Sequence, residues 1–527
     1  MTFVTTYIIF GEVELEAEDA MKERILLSAL TLLVIAPALF AQAIHIRTVP
    51  VIASNQSDFQ PSLARGMGNL SIAFDDPLGD PFINPAKAYR LMGVTIFSSP
   101  TRNSWSNEDG RPVTTTLGSS SYPGASISSI PFGGYFSSGK IFGGGLVAYQ
   151  GYNAKRSSPN VWWDPLSLQK PTMRTDLGTN TYIFGMFGYR FPNSNVSIAA
   201  SVSWGDFGAM DGVNLLYPGS YDIKQNGWAR EYKLGILGEL TERDQLEFVV
   251  ARTLLRARHE VTYPLPIRFA EDRVTPLPMS YRTEINRDES NGWIMHGGYT
   301  RLLGQGWRIG GMLAVNWKDH PKIPNYALAN IPRDPGTSIA YNIGFGVAQN
   351  GQRSTWGFEY VYEPITSNTW AEAGEGVNPG PSPLPANFKT VENFFDFSNH
   401  IFRIGLHSKT NLDWLDYRLG AQLHFYKYDL NQNDNIRRTS RSFEQDWAET
   451  TLTGGLNVRF SNVQLMYTLQ LILGNGMVGT VGGWVATRTA SGDFALEKDF
   501  LVAPSGKLLV DKIPLITQQI TFVFKLE

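Results

Sequence analysis

From Val463 to Leu471 the chain alternates with a period of two. Val463, Leu465, Tyr467, Leu469 and Leu471 fall on one face of an extended segment, and Gln464, Met466, Thr468 and Gln470 on the other. That period belongs to a strand, not a helix. The pattern recurs. Phe402, Ile404 and Leu406 oppose Ile401, Arg403, Gly405 and His407; Tyr417, Leu419, Ala421, Leu423 and Phe425 oppose Arg418, Gly420, Gln422 and His424. Trp356, Phe358, Tyr360 and Tyr362 flank Glu359, and Ile520, Phe522, Phe524 and Leu526 alternate with Thr521 and Lys525. Such segments approach the ~9–11 residues of a membrane-crossing strand. Beyond residue 43 no run is long and apolar enough for a membrane helix, so a membrane-inserted chain must be a closed barrel.

A soluble sandwich also alternates, because one face of each sheet is buried. Two further patterns favour a barrel. Aromatic residues gather near strand ends: Tyr149 and Tyr152, Trp228 and Tyr232, Trp293 and Tyr299, Trp307 and Trp317, Trp356 and Tyr362, Trp414 and Tyr417. Barrels place such rings at both membrane interfaces. The connections also alternate in length. Short turns precede Ile141, Trp307, Arg353 and Asp413 and follow Phe191, Leu240 and Phe460. Long polar stretches run over 100–122, 153–178, 207–228, 263–289, 319–335, 364–394, 431–445 and 474–513. Short turns on one side and long loops on the other are the habit of outer-membrane barrels. The expected fold is all-β, a transmembrane antiparallel barrel of 14–16 strands, with 16 following from this count of turns and loops. The lumen is expected to be polar, with Glu231, Lys233, Glu239, Glu247, Glu359, Arg403, Arg418 and Lys427 facing inward.

Four regions follow along the chain. Residues 21–43 read as a secretory signal peptide: Lys22 and Arg24, an apolar run from Ile25 to Phe40, then Ala41-Gln42-Ala43. Residues 1–20 carry Glu12, Glu14, Glu16, Glu18 and Asp19, the wrong charge for its leading end, and read as an extension or a mis-assigned start at Met21. Residues 44–90 form a segment ahead of the barrel, and 91–527 the barrel. In the 44–90 segment Pro77, Pro81 and Pro85 forbid a regular ladder. Gly66 and Gly68 permit close approach or positive φ, and Asp75, Asp76 and Asn84 offer local turn bonds.

The order Ala64-Arg65-Gly66-Met67-Gly68, then Ala73, Asp75 and Asp76, then Asn84-Pro85-Ala86 resembles the N-terminal region of FadL-type long-chain fatty-acid transporters and of PorV/PorQ-type barrels. Lys87 follows, where the transporters often carry Gly, which leans towards the PorV-like relatives. The resemblance covers about 25 residues. It implies an outer-membrane location and a compact hatch inside or under the barrel. Gly66, Met67, Gly68, Asp75, Asp76, Asn84, Pro85 and Ala86 are the gating candidates, and Glu359, Arg403, His407, Arg418 and His424 the lumen-lining ones.

The sequence offers little to catalysis. It has no cysteine, which excludes disulfides, thiol chemistry and Cys-based metal sites. The seven histidines form no HExxH pattern. His407 and His424 with Ser408 could make a loose lumen pair, more simply read as polar wall. Asp429, Asn431 and Asn433 imitate a calcium loop, but Asp434 and Ser440 stand where Gly and Glu are needed. The expectation is no enzyme, no cofactor and no bound metal. A net charge of −3 gives no global basic balance for nucleic acid. Expected partners are outer-membrane lipid, the barrel-assembly machinery, and small hydrophobic ligands or secreted proteins. The leading expectation for function is hatch-gated passive uptake of small hydrophobic compounds. The alternatives are a PorV-like secretion scaffold and a general diffusion porin.

Overall fold

The computed structural model describes residues 44, 46–47, 59–106, 113–115, 118–120, 124–157, 173–192, 194–210, 213, 220–264, 280–320, 323–324, 332–333, 336–372, 385, 387–474, 476–479 and 509–526. The readings made on residues 1–43, and on most of the longer loops, lie outside them.

Sixteen antiparallel strands close into a barrel among the described residues. The first, β1, is broken at Ser99-Pro100 into Gly93–Ser98 and Thr101–Ser106. Then follow β2 (Gly124–Ser137), β3 (Ile141–Ser157), β4 (Met173–Phe191), β5 (Val196–Phe207), β6 (Asp222–Glu239), β7 (Asp244–Pro264) and β8 (Tyr281–Leu302). The second half is β9 (Trp307–His320), β10 (Gly336–Asn350), β11 (Ser354–Glu372), β12 (Lys389–Lys409), β13 (Leu415–Asp434), β14 (Thr439–Phe460), β15 (Val463–Leu473) and β16 (Leu515–Leu526). Each pairs with its successor, and β1 closes the ring on β16 with Val94 opposite Leu526. Closure leaves no unpaired edge, the condition for crossing lipid with strands.

The outward face is a band of exposed apolar residues. Phe132, Val147, Ile183, Phe187, Leu313, Phe345, Ile404, Leu419, Leu456 and Phe522 all point away from the lumen. Tyr149, Trp204, Tyr232, Trp293 and Trp317 are exposed towards the long-loop end of this band, and Tyr189, Tyr299 and Trp414 towards the short-turn end. Arg230 stacks on Trp204 and Arg252 on Trp293, at 4.0 and 5.0 Å. Long arginines lying on interfacial rings keep their charge near water while their stems stay apolar. All seven short turns read in the sequence join strand pairs at one rim.

Three expectations need correction, besides loop bounds that ran into strand at residues 101–106, 222–228, 281–289, 364–372 and 389–394. The 431–445 stretch is not a long loop: β13 and β14 run through it, and only Asn435–Arg438 turn between them. Asp434 Oδ1 accepts from the amides of Ile436 and Arg437 at 3.0 and 2.8 Å, and Arg438 takes φ 55°. The strands have outgrown the apolar band here. Asp396, Lys427, Asp429, Glu444 and Asp446 point outward into water, so polarity no longer distinguishes strand from loop. For the same reason Lys427 is an outer-face residue, pairing with Glu444, and not a lumen charge. Tyr152, grouped with the interfacial aromatics, faces inward and is buried.

Candidate functional site

Residues 59–92 do not join the wall. They run against its inner face through a 3-10 turn at Ala64–Met67, one helical turn at Asp80–Ile83 and a second 3-10 turn at Pro85–Arg90. Their seating differs on the two sides of the barrel.

Against β1–β6 the contact is mostly apolar, with polar bonds at its edge, where Lys233 Nζ donates to Phe82 O at 2.7 Å and Arg90 pairs with Glu239. Phe59, Leu78, Ala86, Ala88, Tyr89 and Leu91 share one buried cluster with Phe97, Tyr135, Phe142, Tyr182, Phe184 and Leu237 of the wall. Phe82 packs on Phe184 with ring centroids 4.8 Å apart, and Phe59 on Tyr182 at 4.7 Å. Polar groups inside this core find backbone partners: Tyr135 Oη donates to Leu78 O at 3.0 Å, and Ser197 Oγ to Ala86 O at 3.1 Å.

Against the remaining wall the contact is largely polar, although Ile72 packs on Val361 and Ile401. Glu359 accepts from the amides of Ser71 and Ile72 at 2.7 and 2.5 Å, and Arg403 bridges Glu359 and Ser71 Oγ at 3.3 and 3.2 Å. Arg418 donates to Leu63 O at 3.1 Å, and Thr453 Oγ1 accepts from Gly68 N at 2.9 Å. Asp75 is held by Arg90 and by Arg308 of β9. Burial works against its charge, but those two guanidinium groups hold the carboxyl below its usual range. Lys87 lies 3.0 Å from Glu247 and 3.4 Å from Asp80. One ammonium thus serves two carboxylates. Burial, only partly offset by Lys87, pushes the Asp80 carboxyl up to about 7.

The gating candidates take distinct places. Asp76 accepts from Ser62 Oγ and from the amides of Ala64 and Gly79. Asn84 donates to Ile236 O and Glu247, both at 3.2 Å, while its Oδ1 caps Ala86 N at 3.1 Å. Pro85 opens the second 3-10 turn, where its missing N–H is no loss. Met67 and Ala86 are fully buried. Gly68 has φ 69°, and a Cβ there would stand 2.6 Å from Ile404 O. Gly66 is less constrained, since its Cβ would make an ordinary 3.4 Å contact with Arg418.

Among the lumen candidates, Glu359, Arg403 and Arg418 meet the inner segment, but the two histidines do not meet each other. His407 stands opposite Arg418 and 3.3 Å from Asp416. His424 stands opposite Ile401 and 3.9 Å from Glu363. Six residues of strand separate the two levels, about 20 Å at ~3.3 Å per residue. Asp429, Asn431 and Asn433 are alternate residues of β13, which cannot wrap an ion as a loop does.

Sequence reading missed the recess that receives the inner segment. Inward-facing glycines form it. A Cβ on Gly420 would stand 2.2 Å from Gly68 N, one on Gly405 2.4 Å from Met67 O, and one on Gly235 2.2 Å from Asn84 Oδ1. The available signal was glycine on the polar phase of alternating strands, where no turn calls for it.

Beyond the seat, towards the long loops, the inner wall turns aromatic. Ala340, Ile365, Phe395, Phe397, Tyr428 and Leu430 form a buried cluster, with Phe443 and Trp447 packed on it. Tyr428 meets Phe395 edge-on at 5.6 Å and Trp447 at 6.3 Å.

No protein-family profile matches the sequence, and no curated protein matches it. Solved structures do. The toluene transporter TbuX of Ralstonia pickettii aligns at 12% identity and TM-score 0.38, over 90% of this chain and all of that one. The toluene transporter TodX of Pseudomonas putida aligns at 9% and 0.38, over 93% and 100%. A FadL homologue of Pseudomonas aeruginosa aligns at 10% and 0.39, over 93% and 100%.

Proposed function

We propose that this chain is a bacterial outer-membrane barrel for passive uptake of small hydrophobic compounds, with residues 59–92 as its gate. The observation that carries it is an aromatic, apolar patch on the inner wall above a closed seat. A channel for hydrated solutes needs a polar lumen. Buried Phe395, Phe397 and Tyr428 instead give apolar molecules a place to leave water, worth about 25 cal/mol per Å² buried. The outward apolar band and ring closure support the membrane setting. No catalytic step is required, because passage is downhill.

The seat supports gating because its two sides differ in kind. The apolar side is held mainly by buried side chains and acts as the fixed edge. The polar side depends on the ion pairs Lys87–Glu247 and Asp75–Arg308 and on the Ser71 and Ile72 amides held by Glu359, and acts as the latch. A general diffusion porin is disfavoured by the same segment, which spans from Gln60, bound by Gln519, to Arg90, bound to Gln245.

The test is gene-dependent uptake of p-xylene by cells with an intact outer membrane, compared with a gene deletion. Uptake several-fold faster with the gene is expected. Equal rates would remove the proposal.

A further inference from the structure

The outer face is not evenly charged where it leaves the apolar band at the long-loop end. On β12–β14 it carries Asp396, Asp429, Glu444 and Asp446 together with Lys427. On β6–β8 it carries arginine. Arg230 of β6 stands opposite Leu254 of β7, which makes Arg252 and Arg256 its diagonal neighbours, about 7–8 Å away by backbone spacing. Arg258 of β7 stands directly opposite Arg287 of β8. Like charges facing each other across a ladder destabilise it, and an anion shared between them would relieve this. The neighbouring carboxylates do so only in part. Glu289 pairs with Arg256 at 3.0 Å and Glu260 with Arg258 at 2.8 Å. Asp206 of β5 borders the patch, opposite Trp228. Among the described residues no carboxylate pairs with Arg230, Arg252 or Arg287.

We infer that this patch binds the headgroup of a bis-phosphorylated glycolipid of the outer leaflet, with its acyl chains on the apolar wall below. The inference rests on the membrane setting and not on what the barrel conducts. The Arg230 guanidinium lies over the rings of Trp204 and Trp228, 4.0 and 4.2 Å from their centroids, and Arg252 lies over Trp293 at 5.0 Å. Stacking uses the face of a guanidinium and leaves its N–H edge for the fork that matches phosphate. Arg230 Nε has no hydrogen-bond partner in the protein. Position selects a lipid over a dissolved anion. The arginines rest on rings of the interfacial belt, on the outer wall, and Tyr232 and Leu234 are exposed next to them on the bilayer side. Basic clusters at a membrane surface attract anionic headgroups, and arginine near an interface costs the barrel little. Grouping selects two phosphates. Arg230, Arg252 and Arg256 make one cluster, and the facing pair Arg258 and Arg287 makes a second, further from the bilayer.

The test is equilibrium binding of lipid A to the full chain, refolded in a neutral detergent. Lipid A with both phosphates should bind at least about tenfold more tightly than the same lipid after enzymatic dephosphorylation. Raising the salt should weaken the binding, because exposed charges are screened. Inorganic phosphate at the same concentration should not displace the lipid. Arg252→Gln, Arg256→Gln, Arg258→Gln and Arg287→Gln combined in one chain should weaken binding by at least about tenfold. Lys427→Gln, on the acidic side of the barrel, should leave it unchanged. Equal binding of the two lipids would overturn the inference. So would displacement by inorganic phosphate at matched concentration, which would mean an anion site without a lipid, and so would undiminished binding in the fourfold variant. The comparison of the two lipids uses the unaltered chain, so it decides the matter even if the fourfold variant fails to fold.

Discussion

Gly420 shows how much a single residue can decide in a barrel with an occupied lumen. Its place on β13 asks for nothing from the strand itself, because an inward-facing Ala or Thr would pair as well. The segment opposite needs the space: Met67 and Gly68 approach so closely that any Cβ meets backbone atoms, which cannot rotate away. Overpacking of this kind costs about 1–3 kcal/mol. Gly420→Val should therefore lift residues 64–72 from the wall while the strands remain paired. Hydrogen exchange should show faster exchange at the amide of Gly68, now bound to Thr453, with protection of β12–β14 retained. Gly297→Ala is the control, since a Cβ there meets nothing within 4 Å. Retained protection at Gly68 in the valine variant would mean that the recess is not what seats the segment. At this scale the sequence was only half legible. Asn84-Pro85-Ala86 could be singled out because a proline and an Asx cap announce a turn. Gly405 and Gly420 announced only a missing side chain on the polar phase and not what fills its place, because their partner lies some 350 residues away in the chain.

Strands were the most legible elements, and the reason is the solvent. Lipid demands an apolar residue at every second position, so within the band the alternation is sharp, and β11–β13, β15 and β16 face as read. Short turns were equally clear, since each ends an alternating run and begins another. Above the band the outer solvent is water and the demand lapses, which is why β13 and β14 were truncated in the reading and Lys427 was turned inward. This difference in solvent can be measured. Leu419 and Lys427 lie on the same outer face of β13, eight residues apart, one in the band and one above it. Leu419→Arg should destabilise the folded barrel by about 2–4 kcal/mol, the cost of an arginine near mid-bilayer. Lys427→Leu, which loses only an exposed pair with Glu444, should leave it nearly unchanged. Reversible denaturant titration in lipid vesicles compares the two. Equal effects would mean that the membrane boundary on β13 is misplaced.

For the whole molecule, the polar side of the seat joins stability to permeability through Asp80. Its carboxyl has a folded pKa of about 7, above the ordinary 3.8, and burial is the main cause. A raised acid favours the seated state while protonated. That contribution is fully present below 3.8 and is lost as pH rises through about 7. Ionised Asp80 would sit with Glu247 around a single Lys87, one negative charge too many in a buried site. The ionised fraction grows from about one in ten at pH 6 to about nine in ten at pH 8, so the latch should weaken across this window. Single-channel recording of the full chain should show rare openings at pH 6 and more frequent ones at pH 8. Asp80→Asn cannot ionise, and its opening frequency should be low and flat across the same range. Lys87→Met strands Glu247 without its cation, a loss of about 3–5 kcal/mol for a broken buried pair, and should open the barrel at both pH values. The three traces together separate a charge latch from a merely loose segment, because a loose segment would respond to all the substitutions alike and to pH not at all. Openings that become rarer from pH 6 to pH 8, or an Asp80→Asn channel that still follows pH, would place the gate elsewhere than on the Asp80–Lys87–Glu247 side of the seat.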